Sequence, residues 1–310
     1  MHNGSCLFNL WCQTPDVRGT IVKIQHECIP CLIRQAYEVS SLLTDDVKLQ
    51  QKIIRFALED LSDITFEENA PYLSMRLHQY VKQVTGNPDP YKPYKVKFNQ
   101  IAEEMIGKFQ LRDLIRQSDD PFDIACRLSI AGNIIDFGLG VELDAESVDQ
   151  SIQESLKAAI FGLSTQDLHQ RVQTARNIMI LADNAGEIVF DKLLVEQLPR
   201  DRVVYVVKGG PIVNDATMED AIDVGMDQLV QVIDNGMEAQ GTMFDGVSDT
   251  FMQAYHAADL IIAKGQANYE TLIDTADPRL VFMLRAKCQS LAQVIGCQRG
   301  DFVICGTGHR

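Results

Sequence analysis

The stretch Asn177–Ile178–Met179–Ile180–Leu181–Ala182–Asp183–Asn184–Ala185–Gly186–Glu187–Ile188–Val189–Phe190 changes character in its middle. From Asn177 to Ala182 it is a short apolar run, as expected of a parallel strand buried on both faces. After Gly186 the spacing turns helical, with Ile188–Val189–Phe190 and Leu193–Leu194–Val195 as the apolar positions. A strand that ends in Asp183–Asn184 and leads straight into a helix is the first half of a strand–helix–strand unit.

Working downstream, further short apolar runs recur at Val203–Val207, Leu229–Ile233, Leu260–Ala263, Leu280–Leu284 and Phe302–Ile304, with room for helices between most of them. Alternation of this kind predicts a mainly parallel sheet in a three-layer α/β/α arrangement. Upstream the texture differs. Cys31–Leu43, Val47–Leu61, Tyr72–Val84, Asn99–Phe109, Asp120–Ala131, Ser147–Ala158 and Asp167–Arg176 repeat apolar residues at helical spacing, and Gly86–Asn87–Pro88–Asp89–Pro90 interrupts them. The expected organisation is an N-terminal extension over 1–27, an α-helical domain over 28–170 and an α/β catalytic domain over 171–310.

The bulk properties remove several classes of function. A chain of 310 residues with 46% hydrophobic and 23% charged residues can bury a sizeable core. Its formal net charge of -15 is spread along the chain and opposes non-specific nucleic-acid binding. No apolar run approaches the roughly 20 residues of a membrane helix. No basic segment precedes Leu7–Phe8–Asn9–Leu10–Trp11, which argues against a signal peptide. Eight cysteines in a core-rich chain fit reduced thiols and a cytoplasmic setting better than a disulfide framework.

In parallel α/β sheets, sites form where the strands end at their carboxyl edge. Asp183 and Asn184 offer a carboxylate and an amide oxygen, hard donors suited to Mg²⁺ or Mn²⁺. Asn184 with Glu187 three residues on also fits an ordinary helix capping box. The second run leads through Lys208–Gly209–Gly210–Pro211 to Asn214–Asp215, where Asp215 is either a second carboxylate ligand or a helix cap. Lys208 could meet a phosphate or face water. At the end of Leu260–Ala263, Lys264 stands beside Gly265, where a lysine can reach an anion as a point charge, or again simply face water. Taken together, the three strand ends supply carboxylates, amides and lysines at one edge, the donor set for a divalent cation and a phosphoryl group. No Walker loop is present, and no G-x-G-x-x-G follows the first strand, which disfavours nucleotide motors and dinucleotide dehydrogenases.

At these residues the sequence resembles the damage-control phosphatases, a family that shares its metal-binding domain with a reported carboxyl methyltransferase. The matching segments are Asp183–Asn184–Ala185–Gly186–Glu187, Ile212–Val213–Asn214–Asp215–Ala216–Thr217 and Lys264–Gly265–Gln266–Ala267–Asn268–Tyr269. Gly132–Asn133–Ile134–Ile135–Asp136, Asp89–Pro90–Tyr91 with Lys95, and Cys28–Ile29–Pro30–Cys31 match as well, the last pointing to the prokaryotic-type subgroup. The resemblance spans Cys28 to Ile304. It implies that Asp183, Asn184 and Asp215 hold the metal, that Lys264 and Asn268 face the phosphate, and that Asn133 and Asp136 lie near the site. Gln266 stands where some relatives carry an acidic residue, and Glu270 where some carry a basic one.

The expected function is therefore a divalent-metal-dependent phosphatase acting on phosphomonoesters of small metabolites, either sugar phosphates or damaged phosphorylated metabolites. Asp183, Asp215 and Lys264 are its catalytic candidates, and Asn133, Asp136, Lys264 and Asn268 its substrate-binding ones. The cation is Mg²⁺, Mn²⁺, Co²⁺ or Ni²⁺, and a homo-oligomer is left open. Two rivals remain: an S-adenosylmethionine-dependent protein carboxyl methyltransferase, and a non-catalytic metal or metabolite binder built on Cys28 and Cys31. Those two thiols at a helix start could serve a second metal, a redox pair or neither.

Overall fold

The computed structural model describes residues 22–132 and 152–308. Ile178–Leu181 forms β2, with all four residues buried, and its side chains alternate between two cores. Ile178 and Ile180 enter one cluster while Met179 and Leu181 enter the other, which is why the run carries no polar position. Val203–Val207 (β3) and Leu260–Lys264 (β5) flank β2 in parallel, with Ile178 opposite both Val203 and Leu260.

Seven strands make one sheet. The remaining four are Ile160–Gly162 (β1), Gln231–Asp234 (β4), Leu280–Arg285 (β6) and Phe302–Gly306 (β7), in the order β1-β7-β6-β5-β2-β3-β4. All neighbouring pairs are parallel except β6 with β7. From β2 the chain winds outward through β3 and β4, then returns to the other side of β2 with β5. The reversal lies between β2 and β5, and a crevice at the carboxyl ends of such a pair is where α/β sheets bind ligands.

Helices cover both faces. On one side lie Lys92–Lys108 (α4), Leu111–Gln117 (α5), Pro121–Ala131 (α6), Thr165–Thr174 (α8), Glu187–Val195 (α9) and Met218–Asp223 (α10), contributing Phe98, Ile115, Leu128, Leu168, Phe190 and Ala221 to one core. A helical stretch over 152–157 (α7) precedes β1. On the other side, Asp249–Ala257 (α11), Gly265–Leu272 (α12) and Gln289–Ile295 (α13) bring Phe251, Tyr269 and Leu291 onto the opposite face. Cys28–Leu43 (α1), Val47–Ser62 (α2) and Ala70–Thr85 (α3) pack around smaller clusters of their own, one centred on Val39, Ile53 and Leu77 and one on Ile24, Leu32 and Leu73. The expected three-layer α/β/α architecture is present. No helix among the described residues is long and apolar enough to cross a membrane.

Two elements differ from the sequence expectation. Ile160–Phe161–Gly162 lies between predicted helices yet joins the sheet, pairing in parallel with β7. The Leu111–Gln117 helix also falls outside the predicted ones; Gln110 before it adopts a left-handed conformation, φ 49°, which ends α4 and restarts the chain in a new direction.

Candidate functional site

Two loops at the carboxyl edge of β2 and β3 are stitched together by their backbones. The Ala216 N–H donates to the Asp183 carbonyl at 2.8 Å, and the Ala185 N–H to the Asn214 carbonyl at 2.8 Å. Asn184 and Asp215 thereby form an isolated antiparallel bridge, so residues far apart in the chain meet at one point. Each loop needs an unusual backbone: Gly186 has φ 81° just before α9, and β-branched Val213 is held at φ 44° two residues before Asp215. A β-branched residue in the left-handed region stores strain, which functional loops often do.

At this junction the Asn184 amide donates to Asp183 Oδ2 at 2.9 Å, which leaves its carbonyl oxygen as the end available for a cation. Asp215 is fully buried, and neither carboxylate oxygen has a hydrogen-bond partner among the described residues. Lys208 Nζ lies 3.5 Å from its Oδ2, an ion-pair contact. Burial holds the Asp215 carboxyl above the usual carboxylate range; Lys208 partly offsets this, and the Asp183 charge adds to it. A buried carboxylate that accepts no hydrogen bond and meets a single lysine at 3.5 Å is costly without a further positive partner. The donors suit a hard divalent cation: two carboxylates and one amide oxygen, with remaining positions for water or substrate. Among the described residues no three His, Cys, Asp or Glu side chains converge to hold an ion. The candidate centre thus depends on the amide as its third donor.

Across the crevice, β5 ends in Lys264 and α12 begins at Gly265. Gly265 has φ 78°, and a β-carbon there would sit 2.0 Å from Asp183 Oδ2, so a larger residue would push the carboxylate aside. Lys264 turns away from open solvent and is fully buried. Its Nζ donates to Glu187 Oε1 at 2.5 Å, Asp191 Oδ1 at 2.6 Å and the Ser129 carbonyl at 3.3 Å. Ser129 Oγ and the Tyr205 hydroxyl also donate to Asp191, at 2.6 and 2.7 Å. Burial alone would lower the Lys264 ammonium, but the Asp191 and Glu187 charges outweigh it and hold it well above its ordinary range. All three Lys264 donors therefore go to protein groups.

Asn268 is likewise spoken for. Its Nδ2 donates to the Ala182 and Lys264 carbonyls at 3.1 and 2.8 Å, and its Oδ1 accepts from Thr242 at 2.9 Å. The residue clamps the end of β2, just before Asp183, to the start of α12. The Lys208 ammonium, by contrast, donates one hydrogen bond among the described residues, to the Gly241 carbonyl at 2.6 Å, in addition to its ion pair with Asp215. An ammonium has three donors, so this lysine keeps capacity that Lys264 lacks. Gln266 Nε2 donates to Glu270 Oε1 at 2.9 Å.

Asn133 and Asp136 lie outside the described residues. Cys28 is half-buried and Cys31 exposed at the start of α1, both as free thiols. Burial pushes Cys28 up to about 11, which keeps it a protonated thiol and a poor nucleophile at neutral pH. Sequence reasoning did not single out Glu187, Asp191, Asn99 or Asp220 for the site. Glu187 and Asp220 have the spacing of ordinary helix-cap residues, and the contacts that tie these four residues to the site come from partners distant in the chain.

The model of the damage-control phosphatase ARMT1-like domain matches residues 24–303. The chain is 35% identical over 297 residues to an uncharacterized protein of Methanocaldococcus jannaschii, covering 92% of this chain and 96% of that one. It is 34% identical over 291 residues to a damage-control phosphatase of Pyrococcus horikoshii, covering 91% and 97% of the two chains. A damage-control phosphatase of Archaeoglobus fulgidus is 34% identical over 288 residues, with 91% and 98% covered. The crystal structure of a DUF89 family protein from Pyrococcus horikoshii superposes with a TM-score of 0.80 at 32% identity, covering 92% of this chain and 99% of that one.

Proposed function

The chain belongs to the damage-control phosphatase family with the ARMT1-like domain, and we propose that it is a divalent-metal-dependent phosphatase acting on phosphomonoesters of small metabolites. The observation that carries this reading is Asp215: a fully buried carboxylate whose oxygens accept no hydrogen bond among the described residues and meet only Lys208 as an ion pair, bridged by backbone to Asn184. Asp183, Asn184 and Asp215 would hold the cation, of which Mg²⁺ and Mn²⁺ fit the hard donors most directly. When bound, the cation supplies Lewis-acid stabilisation of the phosphoryl oxygens.

The chain's own groups do the rest. Lys208 keeps positive charge beside Asp215 and has N–H donors to offer an equatorial phosphoryl oxygen. Gly265 keeps the Asp183 carboxylate in place by leaving room for it, and Asn268 fixes the strand end from which Asp183 extends. Lys264 pairs with both Glu187 and Asp191 and offsets part of their charge. The net reaction exchanges the P–O bond to the leaving alcohol for one to a water oxygen, and the alcohol departs carrying a proton. The substrates in view are sugar phosphates and damaged phosphorylated metabolites. The methyltransferase reading gains no support, because β2 is followed by a carboxylate-bearing loop and not by a glycine-rich cofactor cradle.

The test is phosphate release from a panel of sugar phosphates and p-nitrophenyl phosphate, with EDTA or with Mg²⁺, Mn²⁺, Co²⁺ or Ni²⁺. Metal-dependent release that Asp183→Ala lacks is the expected result. Folded protein that releases no phosphate with any metal on any substrate would end the phosphatase reading.

A further inference from the structure

Asn99 projects from α4 in the helical layer and contacts both loops of the candidate centre. Its Oδ1 accepts from the Gly186 N–H at 2.6 Å, three residues after Asp183. Its Nδ2 donates to Asp220 Oδ1 at 3.2 Å, five residues after Asp215. The amide orientation follows from the partners, since a backbone N–H can only donate and a carboxylate only accept. Asp220 is in turn fixed through its other oxygen, which accepts from the Thr217 N–H and hydroxyl at 2.9 and 2.7 Å and from Lys95 Nζ at 2.9 Å. Lys95 also pairs with Asp89 at 3.3 Å. Asn99, Lys95 and Asp220 are 5%, 3% and 4% exposed, so water cannot substitute for these bonds.

We propose that Asn99 and Asp220 are positioning residues that set the separation of the two loops carrying Asp183, Asn184 and Asp215. The backbone bridge between Asn184 and Asp215 joins the loops at their tips, and Asn99 joins them again where each runs into its helix. Fixing both ends of each loop leaves the cation's donors little freedom to spread. Groups that orient ligands in this way typically govern metal affinity by about 10- to 100-fold. The inference rests on those three residues being the cation's ligands.

A polarity swap tests it in the full-length chain. Asn99→Asp keeps an acceptor for Gly186 but sets two carboxylates face to face. Asp220→Asn keeps an acceptor toward Thr217 and Lys95 but turns an amide N–H toward the Asn99 amide. Combined, the two substitutions restore one donor facing one acceptor with no change in net charge. Mn²⁺ binding by calorimetry, kcat and KM for p-nitrophenyl phosphate, and thermal midpoint are measured for each. Each single variant is expected to lose about tenfold or more in Mn²⁺ affinity, and the double variant to return within about threefold of wild type. Asn99→Ser, which shortens the bridge without opposing charges, replaces Asn99→Asp if that variant does not fold, with the same expected loss.

Single variants that bind Mn²⁺ as wild type does, whatever their thermal midpoint, would overturn the proposal and leave the network a purely structural one. So would a double variant no better than the worse single. A wild type that binds Mn²⁺ but hydrolyses nothing refutes the phosphatase reading alone, because calorimetry still judges Asn99. A wild type that binds no Mn²⁺ overturns the Asn99 proposal, while phosphate release with the other cations still judges the phosphatase reading.

Discussion

Asp215 and Lys264 show opposite solutions to the burial of charge. Lys264 is surrounded by Glu187, Asp191 and Ser129, whereas Asp215 has a single lysine at 3.5 Å and no hydrogen bond among the described residues. Replacing Asp215 by Asn removes that carboxylate's charge but leaves the buried Lys208 ammonium without its counter-charge, so it should cost the metal-free protein roughly 3 kcal/mol of stability while removing metal-dependent hydrolysis. Denaturant midpoints in EDTA alongside phosphate-release rates decide it, and a variant as stable as wild type would show that the Lys208–Asp215 pair contributes nothing to folding. Lys264→Met should do the reverse of a clean catalytic loss. It leaves two buried carboxylates facing each other and should cost roughly 3–5 kcal/mol of folding stability, read as a drop in denaturant midpoint. The sequence discloses Asp183, Asn184 and Asp215 because each follows an apolar strand, and strand ends can be located from pattern alone. It does not disclose where Lys264 points. Its partners lie on α6 and α9, and only the packed fold reveals that its donors are taken.

At the scale of elements, most strands and helices follow from periodicity, and the exceptions have local causes. β1 is only three residues long, too short for an alternating pattern to stand out. The antiparallel entry of β7 beside β6 depends on which edge the last strand reaches, and no residue in Phe302–Gly306 encodes that direction. The α3 helix carries its own pH dependence. His78 is buried, with Nδ1 donating to the Ser74 carbonyl at 2.9 Å and Nε2 accepting from the Tyr91 hydroxyl at 3.1 Å. Burial lowers this histidine from 6.5 to about 4. As pH falls through that window the unfolded chain takes up the proton first, so the stability His78 provides is present above pH 6.5 and lost toward pH 4. His78→Gln should flatten that acid limb, with wild type losing roughly 3 kcal/mol more than the variant between the two ends. Denaturant titrations at several pH values would show it; parallel profiles would refute it.

For the whole molecule, one large core joins α4–α6 to the sheet, while α1–α3 rest on smaller clusters around Val39, Ile53 and Leu77 and around Ile24, Leu32 and Leu73. Local stability follows the density of buried apolar contact. Backbone amides of α1 and α2 should thus exchange with deuterium well before those of β2 and β5, and simultaneous exchange of all four would show the layers to be a single cooperative unit. The strand order has a further consequence for the chain as it is made. β1 meets the sheet only through β7, with Ile160 opposite Phe302. A ribosome adding about 5–20 residues per second needs on the order of ten seconds to travel from one to the other. Throughout that interval Ile160–Gly162 emerges with no strand to pair with. Late in that interval the nascent chain leaves the β6 edge of the sheet open and β1 unpaired to whatever holds it in the cell, and both find a partner only once β7 slides between them.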